Sequence, residues 1–319
     1  MIVSVAICTW NHSALLDQTL TSLHSLQVPP DVEWELLVVN NRCTDDTDEV
    51  IARHAARLPI RRLFEPDLGL TRARNCAIRA ASGDLVLWTD DDVLVDPHWL
   101  AGYVEASRRW PEAAFFGGEI DPWYEVAQPS WIGANLPLLQ GMLVIRELGP
   151  TERAFDDHDS PWRLPYGANM AFRLPILREH PFDPELGSIG VKKIFGDETN
   201  LLVGLHSSGL QGVWVPSSKV RHFIPADRAT LRYLKYYFYW HGRSMARDEA
   251  RSGATPHRGA PRGLHLRYWT KAGKAAVARC LGRPGWVHHL IEASRLKGRI
   301  HEHRERIAAG AAAVAPEAP

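Results

Sequence analysis

Short aliphatic and β-branched runs alternate with helical stretches through about the first 120 residues of the chain. Each of the first four runs is followed by a segment in which apolar residues recur at helical spacing. Strands that alternate with helices pair in parallel, because each helix returns the chain to the starting edge of the sheet. The pattern therefore predicts an α/β fold with a mostly parallel sheet flanked by helices. The five runs are IVSVAIC, WELLVVN, IRRLF, LVLWT and AAFFGGEI.

The remainder of the chain is less regular. Pro, Trp and Gly accumulate between residues 121 and 165, and a long irregular segment inside a compact domain usually serves function. GANMAFRL then predicts a strand, GDETNLLVGLHSSG a helix, and residues 227–248 a long aromatic helix. Four parts are predicted: residues 1–120, residues 121–225 of the same domain, a basic and aromatic helical extension at 226–308, and a disordered tail at 309–319.

Composition limits the kind of partner. Lys plus Arg and Asp plus Glu both number 37, so the chain lacks the basic excess of a nucleic-acid-binding protein. No apolar run reaches the roughly 18 residues of a membrane span, and the four cysteines form no CxxC pair. We expect a cytoplasmic protein with reduced thiols and no nucleic-acid partner.

Three consecutive aspartates follow the fourth predicted strand. On an extended backbone, Asp90 and Asp92 project to one side and Asp91 to the other. Two aligned carboxylates suit a hard divalent cation such as Mg²⁺ or Mn²⁺, which completes its shell with substrate phosphate oxygens. A solvated acidic turn would have the same sequence, so the interpretation depends on residues elsewhere.

Residues at other strand ends are expected beside these aspartates. Ligands of open parallel sheets bind at the carboxyl ends of the strands, where the strand order reverses. Thr9 and Asn11 follow the first predicted strand, and Asn40 ends the second. All of them would therefore converge with the aspartates on one crevice.

Charged residues at two predicted helix starts add further candidates. Arg72 and Arg74 precede the aspartate strand, where guanidinium and helix N–H groups meet phosphates, although solvated helix faces also carry arginines. Asp197 and Glu198 follow a glycine, where one acid would also stabilise the helix dipole. His222, after the strand-like SKVR, is either a third metal ligand or a structural histidine.

These motifs together resemble the family 2 glycosyltransferases of GT-A fold. The segments that carry the resemblance, over about residues 1–245, are VAICTWN, LLVVNNRCTDDT, GLTRARNCAIRAASGDLVLWTDDDV, GANMAFR, FGDETNLLVGLHSSG and VRH. The resemblance implies a Rossmann-like sheet and an inverting, metal-dependent transfer from a UDP, GDP or dTDP sugar, with Mg²⁺ or Mn²⁺ as cofactor. Residues 1–120 would then bind the nucleotide sugar, and residues 121–225 would hold the acceptor and the catalytic base.

The resemblance also implies roles for single residues. Asp92 would be the more direct metal ligand, with Asp90 as its partner and His222 near the metal or the diphosphate. Asn40 stands where an aspartate is usual, which leaves the nucleotide undetermined. The residues implied on the donor-nucleotide side are Thr9, Asn11, Asn40, Arg72, Arg74, Asp90 and Asp91.

The general base falls in the pair Asp197 and Glu198. In the family this pair usually reads Glu-Asp, whereas here the order is reversed. Alignment by position therefore gives Glu198 as the base, and alignment by residue type gives Asp197; our prediction is Glu198. In GANMAFR, Gly167 would allow close approach to the sugar and Asn169 would bond its hydroxyls. Trp162 is a candidate for stacking on the acceptor side.

Two other functions are compatible with the sequence. A nucleotidyltransferase would also hold a metal on carboxylates, but CTWNHSALL lacks the Gly-rich, lysine-bearing signature expected there. A module that binds the donor without transferring the sugar is the second.

The acceptor is left open among glycans, lipid-linked sugars and small molecules. The C-terminal extension either packs on the protein or contacts the inner face of a membrane.

Overall fold

A computed structural model describes residues 1–155, 163–187, 196–251 and 262–313. It confirms the predicted α/β class, with strands and helices alternating through the first 120 residues. Among the described residues, the strands are β1 (Ile2–Thr9), β2 (Glu33–Asn40), β3 (Ile60–Phe64), β4 (Leu85–Asp90), β5 (Val93–Val95), β6 (Phe115–Tyr124), β7 (Arg153–Ala154), β8 (Met170–Arg173) and β9 (Gly212–Ile224).

Helices cover both faces of the strands and form the C-terminal part. None of the described helices combines the length and apolar character that a membrane crossing needs. The helices are α1 (Ser13–Leu23), α2 (Thr47–His54), α3 (Leu70–Ala80), α4 (Trp99–Arg109), α5 (Ser130–Gly133), α6 (Leu136–Leu143), α7 (Leu174–Glu179), α8 (Asp197–Ser207), α9 (Leu231–Arg251), α10 (Arg262–Cys280) and α11 (Trp286–Ala313).

The described strands form one sheet in the order β3-β2-β1-β4-β8-β6-β9-β5, with β7 paired to β9. Strand β1 runs parallel to both β2 and β4, and β8 runs antiparallel to β4 and β6. The order thus reverses at β1, with β2 and β3 on one side and β4 on the other. This is the switch in strand order where open α/β sheets bind ligands.

The two faces of the sheet carry separate cores. Because side chains alternate along a strand, Val5 and Ile7 of β1 pack with α1 and α4, whereas Ala6 packs on the opposite face with α3, α7 and α8. Both faces are covered, so the strands read as nearly continuous apolar runs. The strand ends are thereby the part of this sheet that is left for binding a ligand.

The chain divides into two compact units. One contains residues 1–125 and 143–224, and the other contains residues 126–142 and 225–319. The segment predicted to be irregular contains the short helices α5 and α6. At the other end of the chain, α11 continues to Ala313, past the start of the tail predicted to be disordered. The alanine-rich sequence of this stretch favours helix, and disorder of the whole tail stays a prediction.

Candidate active site

The polar residues at the strand ends share one edge of the sheet. In the strand register, Thr9 pairs with Asn40, and Cys8 pairs with Asp90. Asn11 follows β1 with a positive φ of 55°, and its side-chain oxygen accepts a hydrogen bond from the Thr44 N–H at 2.7 Å. The convergence predicted from the order of strands is therefore present.

Asp90, Asp92 and His222 form a cluster with the chemistry of a metal site. One potential ligand atom of each lies within 4.8 Å of the others. The short strand β5 causes this arrangement, because it pairs antiparallel with β9 and sets Val93 opposite His222. His222 is buried, and its Nε2 atom lies 3.5 Å from Asp92 Oδ1. Two carboxylates and an imidazole are a ligand set that Mn²⁺ or Mg²⁺ accepts.

The electrostatics of this cluster favour a cation. The pKa of Asp90 is raised to about 7, first by burial and then by repulsion from Asp92. Arg74 opposes this rise, while Asp91 and Glu198 add to it. Buried carboxylates that repel one another are stabilised by a bound divalent ion. The residues present therefore fit the metal that the family resemblance implies.

Asp91 points away from this cluster, as expected for the middle residue. Its Oδ1 atom lies 3.2 Å from His12 Nδ1, and its backbone oxygen accepts a hydrogen bond from the Thr19 hydroxyl at 2.9 Å. Burial raises the pKa of Asp91, which His12 partly offsets. These contacts anchor the turn between β4 and β5 to helix α1.

A second acidic cluster occupies the start of helix α8. Gly196, with a left-handed φ of 106°, directly precedes the helix, a conformation that glycine adopts without strain. Arg74 Nη1 donates a hydrogen bond to Asp197 Oδ2 at 2.6 Å and lies 3.7 Å from Glu198 Oε2. The side chains of Arg74 and Asp197 are 3% and 8% exposed, whereas that of Glu198 is 22% exposed. Glu198 is thus the more accessible acid.

The two acids differ in the direction of their pKa shifts. Burial, and then the neighbouring Glu198 charge, raise the pKa of Asp197 well above its ordinary value. Burial also acts to raise the pKa of Glu198, but the hydrogen bond from Asp197 and the charge of Arg74 outweigh it and lower that pKa. Of the two acids, Glu198 therefore holds its proton less tightly.

Gly167 is positioned by this second cluster. A Cβ atom at Gly167 would lie 2.0 Å from Arg74 Nη2, so only glycine leaves room for the guanidinium group. The Gly167 N–H also faces Glu198 Oε1 at 3.5 Å. The space beside Gly167 is thus occupied by Arg74, and close approach of a sugar at this glycine stays a prediction.

Two amides expected to contact substrate are engaged within the protein. Asn169 is fully buried, and its side-chain oxygen accepts from Trp99 Nε1 at 2.8 Å and from the Tyr103 hydroxyl at 2.6 Å. Its side-chain nitrogen donates to the backbone oxygens of Glu119 and Ser218, both at 2.8 Å. No hydrogen-bonding capacity is left for a sugar, so Asn169 is a structural residue in this conformation.

The Asn40 amide is likewise occupied at both ends. It accepts from the Cys43 N–H at 2.8 Å and donates to Asp48 Oδ1 at 2.8 Å. Asp48 in turn binds Arg62 through both carboxylate oxygens. The amide at this position therefore shapes the loop after β2.

The remaining predicted residues are dispersed. Arg72 is 44% exposed and lies 3.6 Å from Asp67, so it does not share the buried position of Arg74. Trp162 lies outside the described residues. No sequence motif indicated Arg146, a buried residue of the irregular segment. Its guanidinium carbon lies 3.9 Å from the ring centroid of Tyr166, next to Gly167.

The chain is similar in sequence to known proteins. Residues 4–176, more than half of the chain, match the family described as glycosyl transferase family 2. A glucosyl-dolichyl phosphate glucuronosyltransferase from Haloferax volcanii is 23% identical over 255 residues, which cover 76% of each chain.

Solved structures share the fold. A mannosyltransferase from Pyrobaculum calidifontis in complex with GDP-Man and Mn²⁺ superposes with a TM-score of 0.55 at 18% identity, covering 98% of this chain and 76% of that one. TarS from S. aureus, residues 1–349, in complex with UDP-GlcNAc gives 0.53 at 13% identity, covering 96% and 92%. Both contain a nucleotide sugar.

Proposed function

The chain belongs to glycosyl transferase family 2, and we propose that it transfers a sugar to an acceptor hydroxyl with Glu198 as base and a divalent metal held by Asp90, Asp92 and His222. Family membership makes it a nucleotide-sugar-dependent, inverting glycosyltransferase. The observation that carries the proposal is the cluster of two carboxylates and one imidazole within 4.8 Å, close enough to Glu198 for its charge to raise the pKa of Asp90.

The metal cluster serves the leaving group. When bound, Mg²⁺ or Mn²⁺ stabilises the negative charge that builds on the departing diphosphate. Asp90 and Asp92 contribute the charge that holds the ion, and His222 contributes a neutral nitrogen. The pairing of β5 with β9 sets His222 beside the turn that carries the aspartates, so the ligands are held in place before the donor arrives.

Glu198 serves the acceptor. An inverting transfer needs a base that removes the proton of the acceptor hydroxyl as it attacks the anomeric carbon. Glu198 is partly exposed and its pKa is lowered, whereas Asp197 is buried, has a raised pKa and forms an ion pair with Arg74. Arg74 and Asp197 therefore position Glu198 and keep its pKa low.

The donor is a nucleotide diphosphate sugar of UDP, GDP or dTDP type. Its class is supported by the GDP-Man and UDP-GlcNAc complexes of the two structural neighbours. The acceptor is a carbohydrate hydroxyl on a lipid-linked carrier. The name of the Haloferax relative, which contains a dolichyl phosphate sugar, supports this choice. The name of a validoxylamine A glucosyltransferase from Streptomyces hygroscopicus, 36% identical over 179 residues, supports a small-molecule acceptor as the alternative.

Donor hydrolysis and transfer to lipid-linked and free sugars, screened across UDP, GDP and dTDP sugars with Mn²⁺ or Mg²⁺, test this function. We expect Glu198→Gln to lower turnover by about 10²–10⁴-fold while nucleotide binding is retained. Glu112→Gln, at an exposed position, is the matched control. Full turnover in Glu198→Gln, combined with its loss in Asp197→Asn, would assign the base to Asp197. Donor binding by the wild type without hydrolysis or transfer would contradict the catalytic proposal.

A further inference from the structure

Helix α10 has an exposed apolar face. Leu266, Trp269, Val277 and the following Leu281 are 71%, 67%, 58% and 58% exposed. Their spacing places them along one side of the helix, together with the uncharged Thr270, Gly273 and Cys280. We call Leu266, Trp269, Val277 and Leu281 the α10 stripe. Exposed large apolar side chains that are contiguous mark an interaction surface, whereas scattered ones do not.

The segment that carries this stripe is basic. Eight Lys or Arg residues and no Asp or Glu occur between Glu249 and Glu292, although the chain as a whole has no net charge. On the helix, Arg267 and Lys274 lie on one flank of the stripe, whereas Arg279 lines the cavity described next. The basic residues of this segment are Arg251, Arg258, Arg262, Arg267, Lys271, Lys274, Arg279 and Arg283.

Residues of helices α9, α10 and α11 line a cavity of about 630 Å³. Apolar and aromatic residues of α10 and α11, including Ala272, Ala276 and Leu290, line it, and Lys235 and Lys297 contribute cations. Tyr268 joins the cavity to the stripe, since it lines the cavity and its ring centroid lies 4.9 Å from that of Trp269. The apolar surface is thus continuous with an apolar cavity that carries cations.

We propose that the α10 stripe binds the surface of an anionic phospholipid bilayer. Aliphatic and Trp side chains enter the boundary between headgroups and acyl chains, while flanking Lys and Arg side chains reach the lipid phosphates. Three of the four stripe residues are aliphatic, which favours lipid over single-stranded nucleic acid, whose bases need aromatic surfaces. The proposal goes beyond sugar transfer, because binding to vesicles requires neither donor nor acceptor.

Flotation of the full chain with vesicles tests the proposal. We expect binding to phosphatidylcholine vesicles that contain phosphatidylglycerol, weaker binding at high salt, and little binding to phosphatidylcholine alone. Leu266→Gln combined with Trp269→Gln should weaken partitioning by about ten-fold, through lost apolar contact. Lys274→Glu should weaken it by about 30-fold, because the substitution removes one positive charge and adds one negative charge, at about 1 kcal/mol for each.

Matched controls separate this surface from general effects. Leu138→Gln alters an apolar residue that is 44% exposed elsewhere in the same unit, and Arg57→Glu makes the same charge change at an exposed position on the other unit. Both should bind vesicles as the wild type does, and all variants should keep wild-type donor hydrolysis in solution. Wild-type binding by the stripe variants would overturn the proposal. Self-association that the stripe variants abolish, without vesicle binding by the wild type, would assign the stripe to a second copy of the chain instead.

Discussion

Arg74 and Asp197, which are 123 residues apart in sequence, form a buried ion-pair contact of 2.6 Å between helices α3 and α8. The contact holds the first turn of α8, where Glu198 follows Asp197. Arg74 also packs against Phe182, whose ring centroid lies 5.1 Å from the guanidinium carbon. The base of the proposed reaction thus depends on a cation supplied by a distant helix.

Replacing Arg74 should impair both stability and the base. Arg74→Met leaves the buried Asp197 and the partly exposed Glu198 without their cation, and we expect the unfolding free energy to fall by about 3–5 kcal/mol. Arg74 lowers the pKa of Glu198, so this pKa should rise in the variant. Because the base acts when ionised, activity should be lost at a higher pH on the acidic side of the pH–rate profile.

Arg72→Met is the matched control, since Arg72 lies on the same helix but is 44% exposed. The unfolding free energy of this variant should change by less than about 1 kcal/mol, and the acidic side of its pH–rate profile should not shift. Thermal denaturation and kcat/KM measured across pH distinguish the two variants. An acidic limb that stays in place in a folded Arg74→Met protein would show that Arg74 does not tune Glu198.

Gly167→Ala should reproduce part of the Arg74 defect. The added methyl group would lie 2.0 Å from Arg74 Nη2, so the guanidinium group must move away from Asp197. We expect kcat to fall by about 10²-fold, the scale of a misplaced catalytic group. Gly204→Ala on helix α8, where a Cβ meets no atom within 4 Å, is the control and should gain up to about 1 kcal/mol in stability. Equal activity in the two variants would contradict the role given to Gly167.

Asn169→Leu should destabilise the fold. The substitution would leave Trp99 Nε1, the Tyr103 hydroxyl and two backbone oxygens without their bonds to this amide. Each such buried group costs about 1–3 kcal/mol. We expect a large fall in melting temperature, and Asn135→Ala, which removes one bond to Trp131, should cause a small one. A melting temperature close to that of the wild type would instead return Asn169 to the list of substrate contacts.

The sequence predicts the parts of this molecule that depend on local pattern. Strand and helix periodicity predicts the α/β fold, and the order of the strand ends predicts that Thr9, Asn40 and Asp90 meet at one edge. Residues two apart on a strand share a side, so the projection of Asp90 and Asp92 also follows from local geometry. The helices α5 and α6 were missed, because short helices rich in Gly and Pro lack a clear apolar period.

Tertiary partners cannot be predicted from local pattern. Nothing near Arg74 in sequence indicates that it faces Asp197, so an arginine at a helix start suggested phosphate binding. Asn169 was expected to contact the sugar because GANMAFR resembles a family motif. Its four hydrogen-bonding partners come from α4, β6 and β9, so no local pattern indicates them. In both cases a polar side chain is used by the fold itself, which only the packed structure reveals.

Binding of Mn²⁺ in the presence of UDP or GDP, followed by the electron paramagnetic resonance signal of the free ion, tests the central claim most directly. Asp92→Asn is compared with Asp227→Asn, which changes an exposed aspartate far along the sequence. We predict that the wild type and Asp227→Asn bind Mn²⁺ together with the nucleotide, and that Asp92→Asn binds the ion at least about ten-fold more weakly. Equal Mn²⁺ affinity in Asp92→Asn and the wild type would contradict the assignment of the metal to Asp90, Asp92 and His222.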